Sequence, residues 1–262
     1  MGEKAMVDMW EVEIPSLTGK KKRRAYAYLP NDYDLTERHY PVLYMFDGHN
    51  LFSDSEATYG KSWGLADYLD AHKIPLIVAA VECNHEGNER LSEYSPVDFT
   101  FRNGESIKGK GKKYMDWLTG TFKPYIDENL RTLPDREHTA IAGSSMGGLM
   151  TLFAVAKYNK YFSKGAALSP SLWAYGTNLV EFIEKSKFSK DTVLYMDYGS
   201  KEFDKAGIAK ANFCAATNAL IQKGVNLTAR IVKDGTHSEA SWEKQIPIFL
   251  KVLELRETEK EF

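Results

Sequence analysis

Short runs of apolar residues recur along most of the chain, separated by segments with the spacing of helices. Near the start, apolar and polar residues alternate over residues 10–14 and 23–29, on either side of the turn-forming segment 15–22. This pattern predicts an antiparallel hairpin. Continuous apolar runs follow, which predict strands buried on both faces of a parallel sheet; they cover residues 42–46, 76–81, 139–142, 165–168, 193–196 and 227–232.

Helical spacing fills the intervals between these runs. Apolar side chains recur every three or four positions in residues 114–130, where Pro124 predicts a kink or a split. Strands that alternate with helices predict right-handed crossovers, and hence an α/β fold with a mostly parallel central sheet and helices on both faces. The other predicted helices cover residues 147–158, 178–187, 206–223 (closed by Gly224) and 239–255.

The length of 262 residues and an apolar content of 43% predict one domain, residues 1–262, with a core that needs no disulfide or structural metal. One stretch departs from the alternating pattern. Residues 85–113 are polar, contain four glycines and lack clear periodicity. Long loops inside compact domains are usually functional, so we expect a lid or a substrate-side insertion there.

Charge and cysteine content narrow the class of protein. A net charge of −2 does not fit a nucleic-acid-binding domain, and the basic run 20–24 predicts a solvated hairpin turn. Cys83 and Cys214 are too few for a disulfide framework and are expected to be reduced. Residues 1–10 lack the apolar core of a secretory signal, and no stretch has the length of a membrane span, so a cytoplasmic chain without a membrane partner is expected. A homo-oligomer stays open.

The strongest chemical signal is the run Gly143-Ser144-Ser145-Met146-Gly147. It follows a predicted strand and opens a predicted helix, which is the setting of a G-x-S-x-G nucleophile elbow. The turn is so tight that side chains in place of its glycines would collide with neighbouring backbone. The serine hydroxyl then projects from the end of the sheet, beside a helix N-terminus that can stabilise an oxyanion. Ser145 is therefore the predicted nucleophile.

A serine nucleophile needs a base to remove its proton, and the base needs an acid to orient it. In α/β-hydrolases the three follow in the order serine, acid, histidine. His237 is the one histidine after Ser145, and it lies in the loop between the last predicted strand and the last predicted helix. We therefore predict His237 as the base.

The acid is expected in the loop after the apolar run 193–196. Asp191 precedes that strand and faces the wrong end, and Asp197 also suits a buried structural role. Glu202 and Asp204 both lie in the loop, and spacing does not separate them.

Two backbone N–H groups are candidates for the oxyanion hole. One belongs to Met146, directly after the nucleophile, and the other is expected in the loop after the third strand. In that loop Gly48 permits a sharp turn that can aim the N–H of His49 at the site.

The motifs together resemble the esterase D-like family of α/β-hydrolases, which includes acetyl xylan and feruloyl esterases, siderophore trilactone esterases, S-formylglutathione hydrolases and mycobacterial mycolyltransferases. The resemblance covers nearly the whole chain and is carried by residues 41–50, 143–148, 169–173 and 235–238.

The resemblance implies roles that spacing leaves open. The family's acid follows a small-residue turn, which Gly199-Ser200-Lys201-Glu202 matches, so Glu202 is the implied acid and Asp204 the second choice. The residue after Asp-Gly, here His49, is the implied first oxyanion donor. One position departs from the pattern: Asp234 stands where relatives often carry the first of two glycines.

The expected substrate is a small-molecule or oligosaccharide ester, of a short-chain acyl, acetyl or feruloyl type. Candidate substrate-binding residues are Asn50, Trp173, Tyr175 and Trp242, because ligands of open α/β sheets bind outside the carboxyl ends of the strands. Neither a cofactor nor a metal is expected, since His39, His72, His85 and His138 lack ligand spacing. Trilactone or thioester hydrolysis, acyl transfer by the same triad, and a non-catalytic binding module are the alternatives.

Overall fold

A central β-sheet organises the fold, which the computed structural model describes for residues 6–101, 103–202 and 207–255. The described strands are β1 (Met6–Glu13), β2 (Lys22–Leu29), β3 (Val42–Met45), β4 (Ile77–Val81), β5 (Phe99–Thr100), β6 (Ser106–Ile107), β7 (Thr139–Ser144), β8 (Lys164–Leu168), β9 (Val193–Gly199) and β10 (Asn226–Val232).

Eight of these strands form one sheet in the order β1-β2-β4-β3-β7-β8-β9-β10, and β5 pairs with β6 separately. β2 is antiparallel to both β1 and β4, whereas the later neighbours are parallel. The predicted sheet, mostly parallel with an antiparallel hairpin at its start, is confirmed. The carboxyl ends of β3, β7, β9 and β10 consequently meet along one edge, where open α/β sheets bind ligands.

Helices cover both faces of the sheet. One core layer packs α2 and α10 against it, and the other packs α4 to α8. No helix within the described ranges has the length and apolar character needed to cross a membrane. The helices are α1 (Pro15–Thr18), α2 (Leu65–Ala71), α3 (Glu89–Glu93), α4 (Gly111–Trp117), α5 (Lys123–Asn129), α6 (Met146–Lys157), α7 (Leu179–Lys185), α8 (Ile208–Gln222), α9 (Glu239–Glu243) and α10 (Ile246–Leu253).

Two prolines change helices that the apolar pattern predicts as single. In the first, a π-helical turn, Leu118–Phe122, joins α4 to α5 just before Pro124. Proline has no N–H to donate and its ring crowds the carbonyl four residues earlier, so a wider turn lets the helix continue. The predicted helix 239–255 is divided into α9 and α10, because Pro247 belongs to the first turn of α10, where proline is tolerated.

The stretch 85–113 has local structure that its composition does not reveal. It contains α3 and the β5–β6 pair, elements too short to produce a periodic signal. Gly109 and Gly111 pack so closely that a Cβ at either would lie 2.8 Å from the Ser95 carbonyl oxygen. The backbone there is thus held against its neighbours, and the lid role stays a prediction.

Arg23 shows that the basic run is not wholly solvated. Its side chain is 3% exposed and donates two hydrogen bonds, of 2.8 and 2.6 Å, to the carboxylate of Glu93. Glu93 is 1% exposed and also accepts from the Asn84 N–H at 2.7 Å. The ion pair therefore ties β2 to α3, and with it the stretch 85–113 to the sheet. Cys83 and Cys214 are both free thiols.

Replacing Arg23 with alanine is expected to destabilise the fold by about 3–5 kcal/mol, since it leaves the Glu93 carboxylate buried without its partner. Urea unfolding followed by circular dichroism measures this. Lys22→Ala is the matched control, because Lys22 pairs with Glu11 at the surface, where both side chains are more than half exposed. Equal loss in both variants would contradict the role given to burial.

Candidate active site

Ser145 occupies a strained turn between β7 and α6. Its φ of 58° and ψ of −118° lie outside the regions that residues with a Cβ prefer. A Cβ at Gly143 would lie 2.9 Å from the Gly147 carbonyl carbon, and one at Gly147 would lie 2.9 Å from Phe46 Cβ. The glycines are therefore required by close packing, as the sequence predicts, and the turn presents Ser145 at the start of α6.

His237 and Glu202 form a direct pair across two loops. Nδ1 of His237 lies 2.8 Å from Oε2 of Glu202. The imidazole is 43% exposed, whereas the glutamate side chain is 4% exposed. The loops approach so closely that a Cβ at Gly199 would meet the Gly235 carbonyl oxygen at 2.5 Å. The structure thus pairs the predicted base with Glu202, while Asp204 lies outside the described residues.

The other oxygen of Glu202 is held by two donors. Oε1 accepts hydrogen bonds from the Ser169 hydroxyl at 2.6 Å and from the Gly199 N–H at 2.7 Å. Burial alone would raise the pKa of Glu202, but the hydrogen bonds from His237, Ser169 and Gly199 hold it below its usual value. The carboxylate is thereby kept charged and fixed in orientation next to the imidazole.

Ser169 links the glutamate to an aromatic side chain. Nε1 of Trp242 donates a 2.8 Å hydrogen bond to its Oγ, and the indole packs edge-on against the His237 ring at a centroid distance of 5.1 Å. Trp242 is 5% exposed. This residue, predicted to bind substrate, is thus also part of the frame that positions the histidine and the glutamate.

Asp197 lies within β9, which extends to Gly199, and has the buried structural position that the sequence left open for it. It is 1% exposed and accepts hydrogen bonds from the Ser169 N–H at 3.0 Å and the Tyr195 hydroxyl at 2.8 Å. Burial raises its pKa to about 6. Asp191, at the opposite end of the strand, pairs with Arg136.

The loop after β3 is held by an ion pair. Asp47 has a φ of 58° and receives two 2.7 Å hydrogen bonds from the guanidinium of Arg90. Burial alone would raise the pKa of Asp47, but Arg90 keeps it below its usual value. Gly48 lies against Tyr26, where a Cβ would come within 2.6 Å of the ring. The turn is thus fixed, and His49 follows within it.

The His49 side chain points into the protein. It is 2% exposed, its Nε2 lies 2.9 Å from the Thr58 hydroxyl, and burial lowers its pKa to about 4. Such an imidazole is neutral at physiological pH, and its Nε2 is already paired with the Thr58 hydroxyl. This geometry agrees with a backbone rather than a side-chain role for His49.

Two cavities meet at His237. One, of about 240 Å³, is lined by Asn50, Thr58, Tyr59, Arg90, Ser144, Ser145, His237, Glu239 and Trp242. The second, of about 300 Å³, is lined by Ser169, Pro170, Ser171, Trp173, Tyr198, Glu202, Ala209 and His237. The predicted nucleophile and base therefore share one cavity, and the base and acid share the other.

The predicted substrate-binding residues divide between these places. Asn50 and Trp242 line the first cavity, and Trp173, 38% exposed, lines the second. Tyr175 lines neither, because it is 5% exposed and stacks on Phe182 at a centroid distance of 4.7 Å. Its position is that of a core residue, because its ring packs against α7 within the hydrophobic core.

The Ser145 hydroxyl lies 3.4 Å from the Ser171 hydroxyl. Within the described ranges it has no hydrogen bond to His237. Catalytic hydrogen bonds are often long in ligand-free enzymes and tighten when substrate binds. The shared cavity, rather than a formed hydrogen bond, relates the two side chains here.

A family comparison agrees with this geometry. The model of the family described as "Putative esterase" matches residues 16–251. The chain belongs to this family. The matched range includes every element that contributes to the two cavities. The prediction of an enzyme that hydrolyses esters is confirmed.

Relatives and solved structures show how far the likeness extends. The uncharacterized protein YbbA of Bacillus subtilis is 29% identical over 183 residues, which are 69% of either chain. An endo-1,4-beta-xylanase/feruloyl esterase of Xylanibacter ruminicola is 26% identical over 230 residues, 86% of this esterase but 28% of that larger chain. A ferulic acid esterase structure superposes with a TM-score of 0.71 at 19% identity, covering 97% of this chain and 100% of that one. The predicted α/β-hydrolase fold is confirmed.

Two residues of the site were not singled out by the sequence. Ser169 and Glu239 are distant in sequence from the serine motif, and only folding brings them to the acid or to the first cavity. Glu239 is 6% exposed in the wall of the first cavity, and burial raises its pKa. Ser169 lies within a segment that carries the family resemblance, which is the one signal that could have identified it.

The expectation that the histidines are scattered needs correction. One ligand atom from each of His49, Cys83 and His85 lies within 4.8 Å of the others. The spacing of the histidines alone missed this group because its members follow two strands, β3 and β4, that become neighbours only in the sheet.

Removing the Ser169 hydroxyl should slow the esterase by about 10-fold, since it removes a buried link between Glu202 and the Trp242 N–H at a net cost of about 1–3 kcal/mol. The pKa of Glu202 should also rise, because one of its donors is lost. Steady-state kcat for Ser169→Ala, measured against pH, tests both effects. Ser186→Ala is the control, being an equally buried serine that bonds the Phe182 carbonyl far from the site; a similar kinetic loss there would contradict the link.

Proposed function

We propose that this esterase is a serine carboxylic-ester hydrolase in which Ser145 is the nucleophile, His237 the base and Glu202 the acid. The observation that carries the proposal is the 2.8 Å contact between Glu202 and His237 beside a cavity that Ser145 also lines. A buried carboxylate, an accessible imidazole and a serine on a strained turn are the parts that a catalytic triad requires.

The backbone N–H groups of His49 and Met146 are proposed to stabilise the oxyanion. Met146 is the first residue of α6, where N–H groups have no partner within the helix. His49 lies in the loop held by the Asp47–Arg90 ion pair. Neither N–H has a backbone hydrogen-bond partner among the described residues, so both are free to donate to a developing negative charge.

The proposed reaction proceeds in two halves. His237 removes the Ser145 proton as Oγ attacks the ester carbonyl, and the tetrahedral intermediate expels the alcohol, which takes that proton from His237. Water, deprotonated by His237, then attacks the acyl-enzyme and releases the carboxylic acid. Glu202 fixes the imidazole with its Nδ1–H toward the carboxylate and stabilises its charged form. No cofactor takes part in these steps.

Short-chain acyl esters and acetyl or feruloyl esters of carbohydrates are the proposed substrates. The two cavities are small, about 240 and 300 Å³, which suits a short or planar acyl group. The partly exposed Trp173 offers an aromatic face to a sugar or an aryl acid. The names of the feruloyl esterase relative and of the ferulic acid esterase structure support the same class.

A labelling and turnover experiment tests the proposal. The full chain is treated with a fluorophosphonate, and the modified peptide is identified by mass spectrometry. Turnover is then measured on nitrophenyl acetate, butyrate and octanoate, methyl ferulate and acetylated xylo-oligosaccharides. Label at Ser145 with preference for acetyl or feruloyl esters is expected.

Other outcomes are equally informative. Label at Ser145 without turnover of any ester in the panel would contradict the substrate class. Absence of label would contradict the nucleophile. Products formed mainly by transfer to an added sugar or alcohol would show an acyltransferase instead of a hydrolase.

A further inference from the structure

We propose that His49, Cys83 and His85 form a binding site for a borderline or soft divalent metal ion such as Zn²⁺. Their ligand atoms lie within 4.8 Å of one another, and Nδ1 of His85 is 4.0 Å from Sγ of Cys83. The three residues follow β3 and β4, adjacent parallel strands whose carboxyl ends lie side by side. Two imidazoles and a thiolate are ligands that zinc prefers, and the Cys83 thiol would release its proton to solvent as the ion binds.

His49 has one nitrogen engaged and one available, whereas Nδ1 of His85 contacts the Cys83 thiol, the group that it would join around a metal ion. Nε2 of His49 lies 2.9 Å from the Thr58 hydroxyl, while Nδ1 is buried and has no hydrogen-bond partner among the described residues. Nε2 of His85 lies 3.6 Å from a carboxylate oxygen of Glu82, and Nδ1 faces Cys83. Metal-binding histidines are generally held in this way, with the second nitrogen bonded to an outer partner that fixes the ring.

The buried Nδ1 of His49, which has no hydrogen-bond partner among the described residues, is the observation that points to a ligand. A buried polar atom without a partner costs stability, and the side chain that carries it is 2% exposed. The two imidazole rings also meet edge to face at a centroid distance of 4.6 Å. A bound cation would accept the lone pair of this nitrogen and convert the cost into a bond.

The site needs only a small closure to bind an ion. Tetrahedral zinc with bonds of ~2.0–2.3 Å places its ligand atoms roughly 3.4–3.6 Å apart, somewhat nearer than the outer limit of 4.8 Å seen here. Cys83 and His49 are buried, but the side chain of His85 is 50% exposed and can swing inward. Because His85 is exposed to solvent, water is the expected fourth ligand.

Occupancy of this site should inhibit the esterase. This step rests on the proposed function, in which the N–H of His49 stabilises the oxyanion. A metal ion bound to the His49 imidazole is expected to shift the His49 backbone. The N–H of His49 would then no longer point at the substrate carbonyl. Ester hydrolysis is therefore expected to fall as the ion binds and to recover when a chelator removes it.

Binding is tested with Co²⁺ as a spectroscopic probe on the full chain. Wild type is expected to show thiolate-to-cobalt charge transfer and visible bands of a tetrahedral ion. His85→Ala should weaken binding by at least about 100-fold, since changes to outer partners alone cost about 10–100-fold. Cys83→Ser should abolish the charge-transfer band, whereas Cys214→Ser, which removes the exposed thiol, should leave it intact.

A second set of measurements separates the metal site from the catalytic proposal. Cobalt binding is repeated on Ser145→Ala, where it should be unchanged, so that the metal site is tested even if Ser145 is not the nucleophile. Zn²⁺ should inhibit hydrolysis by wild type and by Cys214→Ser but not by His85→Ala, whose basal activity should match wild type. Absence of a thiolate–cobalt band in wild type would overturn the site. Equal inhibition of His85→Ala by Zn²⁺ would place the inhibitory ion elsewhere.

Discussion

Ester turnover by Ser145→Ala should fall by on the order of 10⁴- to 10⁶-fold relative to wild type, because removal of a triad nucleophile costs nearly as much as removal of the whole triad. Alanine keeps the Cβ, so it retains the backbone geometry of the turn while deleting the hydroxyl. Substrate binding in the cavity should change little. The expected loss is therefore in kcat rather than in KM.

The neighbouring serine provides the matched control. Ser144 lies one position earlier, is 7% exposed and lines the same cavity. Ser144→Ala should keep turnover within about 10-fold of wild type, since a single hydrogen bond is worth about 1 kcal/mol net. Hydrolysis of nitrophenyl acetate by both variants, together with fluorophosphonate labelling, measures the difference. A large loss in Ser144→Ala with little in Ser145→Ala would reverse the assignment.

The elbow could be predicted from the sequence because its geometry is local. Strand, turn and helix follow one another within a few residues, and the two glycines are required by atoms close to them in space and largely in sequence. Gly143 meets Gly147, and Gly147 meets Phe46, which directly follows the neighbouring strand β3. The inner strands of the sheet were predictable for a related reason, since their apolar runs indicate burial. The prediction of burial on both faces was wrong for residues 227–232, because β10 is the edge strand of the sheet and contains no buried residue.

The acid was harder to predict because a loop carries no periodic signal. Spacing left Glu202 and Asp204 equal, and the family resemblance favoured Glu202, which the structure pairs with His237. Asp234, the departure from the family's glycine, adopts a φ of 59°, a region that aspartate enters more readily than most residues. Its carboxylate pairs with Lys201 at 2.8 Å. The substitution is therefore accommodated by the loop.

Features that depend on tertiary contacts could not be predicted from the sequence. Arg23 belongs to a basic run that the sequence predicts as solvated. It is nevertheless buried, because it forms an ion pair with Glu93, seventy positions later. Tyr175 follows Trp173 closely, but it points to the core while Trp173 lines a cavity. The cluster of His49, Cys83 and His85 depends on the order of strands in the sheet. In each case, residues distant along the chain decide where the side chain lies.

Glu202→Gln should lower kcat by about 10⁴-fold, the loss seen when a triad acid is replaced by its amide and the histidine is held in the wrong tautomer. Oε1 of Glu202 accepts hydrogen bonds from Ser169 and from the Gly199 N–H, so the amide oxygen must occupy that position. The amide NH₂ then faces Nδ1 of His237 and donates to it. The remaining proton is forced onto Nε2, which can no longer accept the proton of the serine.

Asp204→Asn is the control that decides between the two carboxylates that spacing left open. Its kcat on nitrophenyl acetate should stay within about 10-fold of wild type, because the carboxylate that accepts the Nδ1–H of His237 belongs to Glu202. Thermal unfolding of both variants shows whether either loss reflects folding. Because glutamine fills the space of glutamate and keeps its two donors satisfied, the Glu202→Gln variant should fold normally, so a kinetic loss there reports the tautomer. If Asp204→Asn instead loses the activity and Glu202→Gln retains it, the buried pair with His237 is structural and the acid lies farther along the loop.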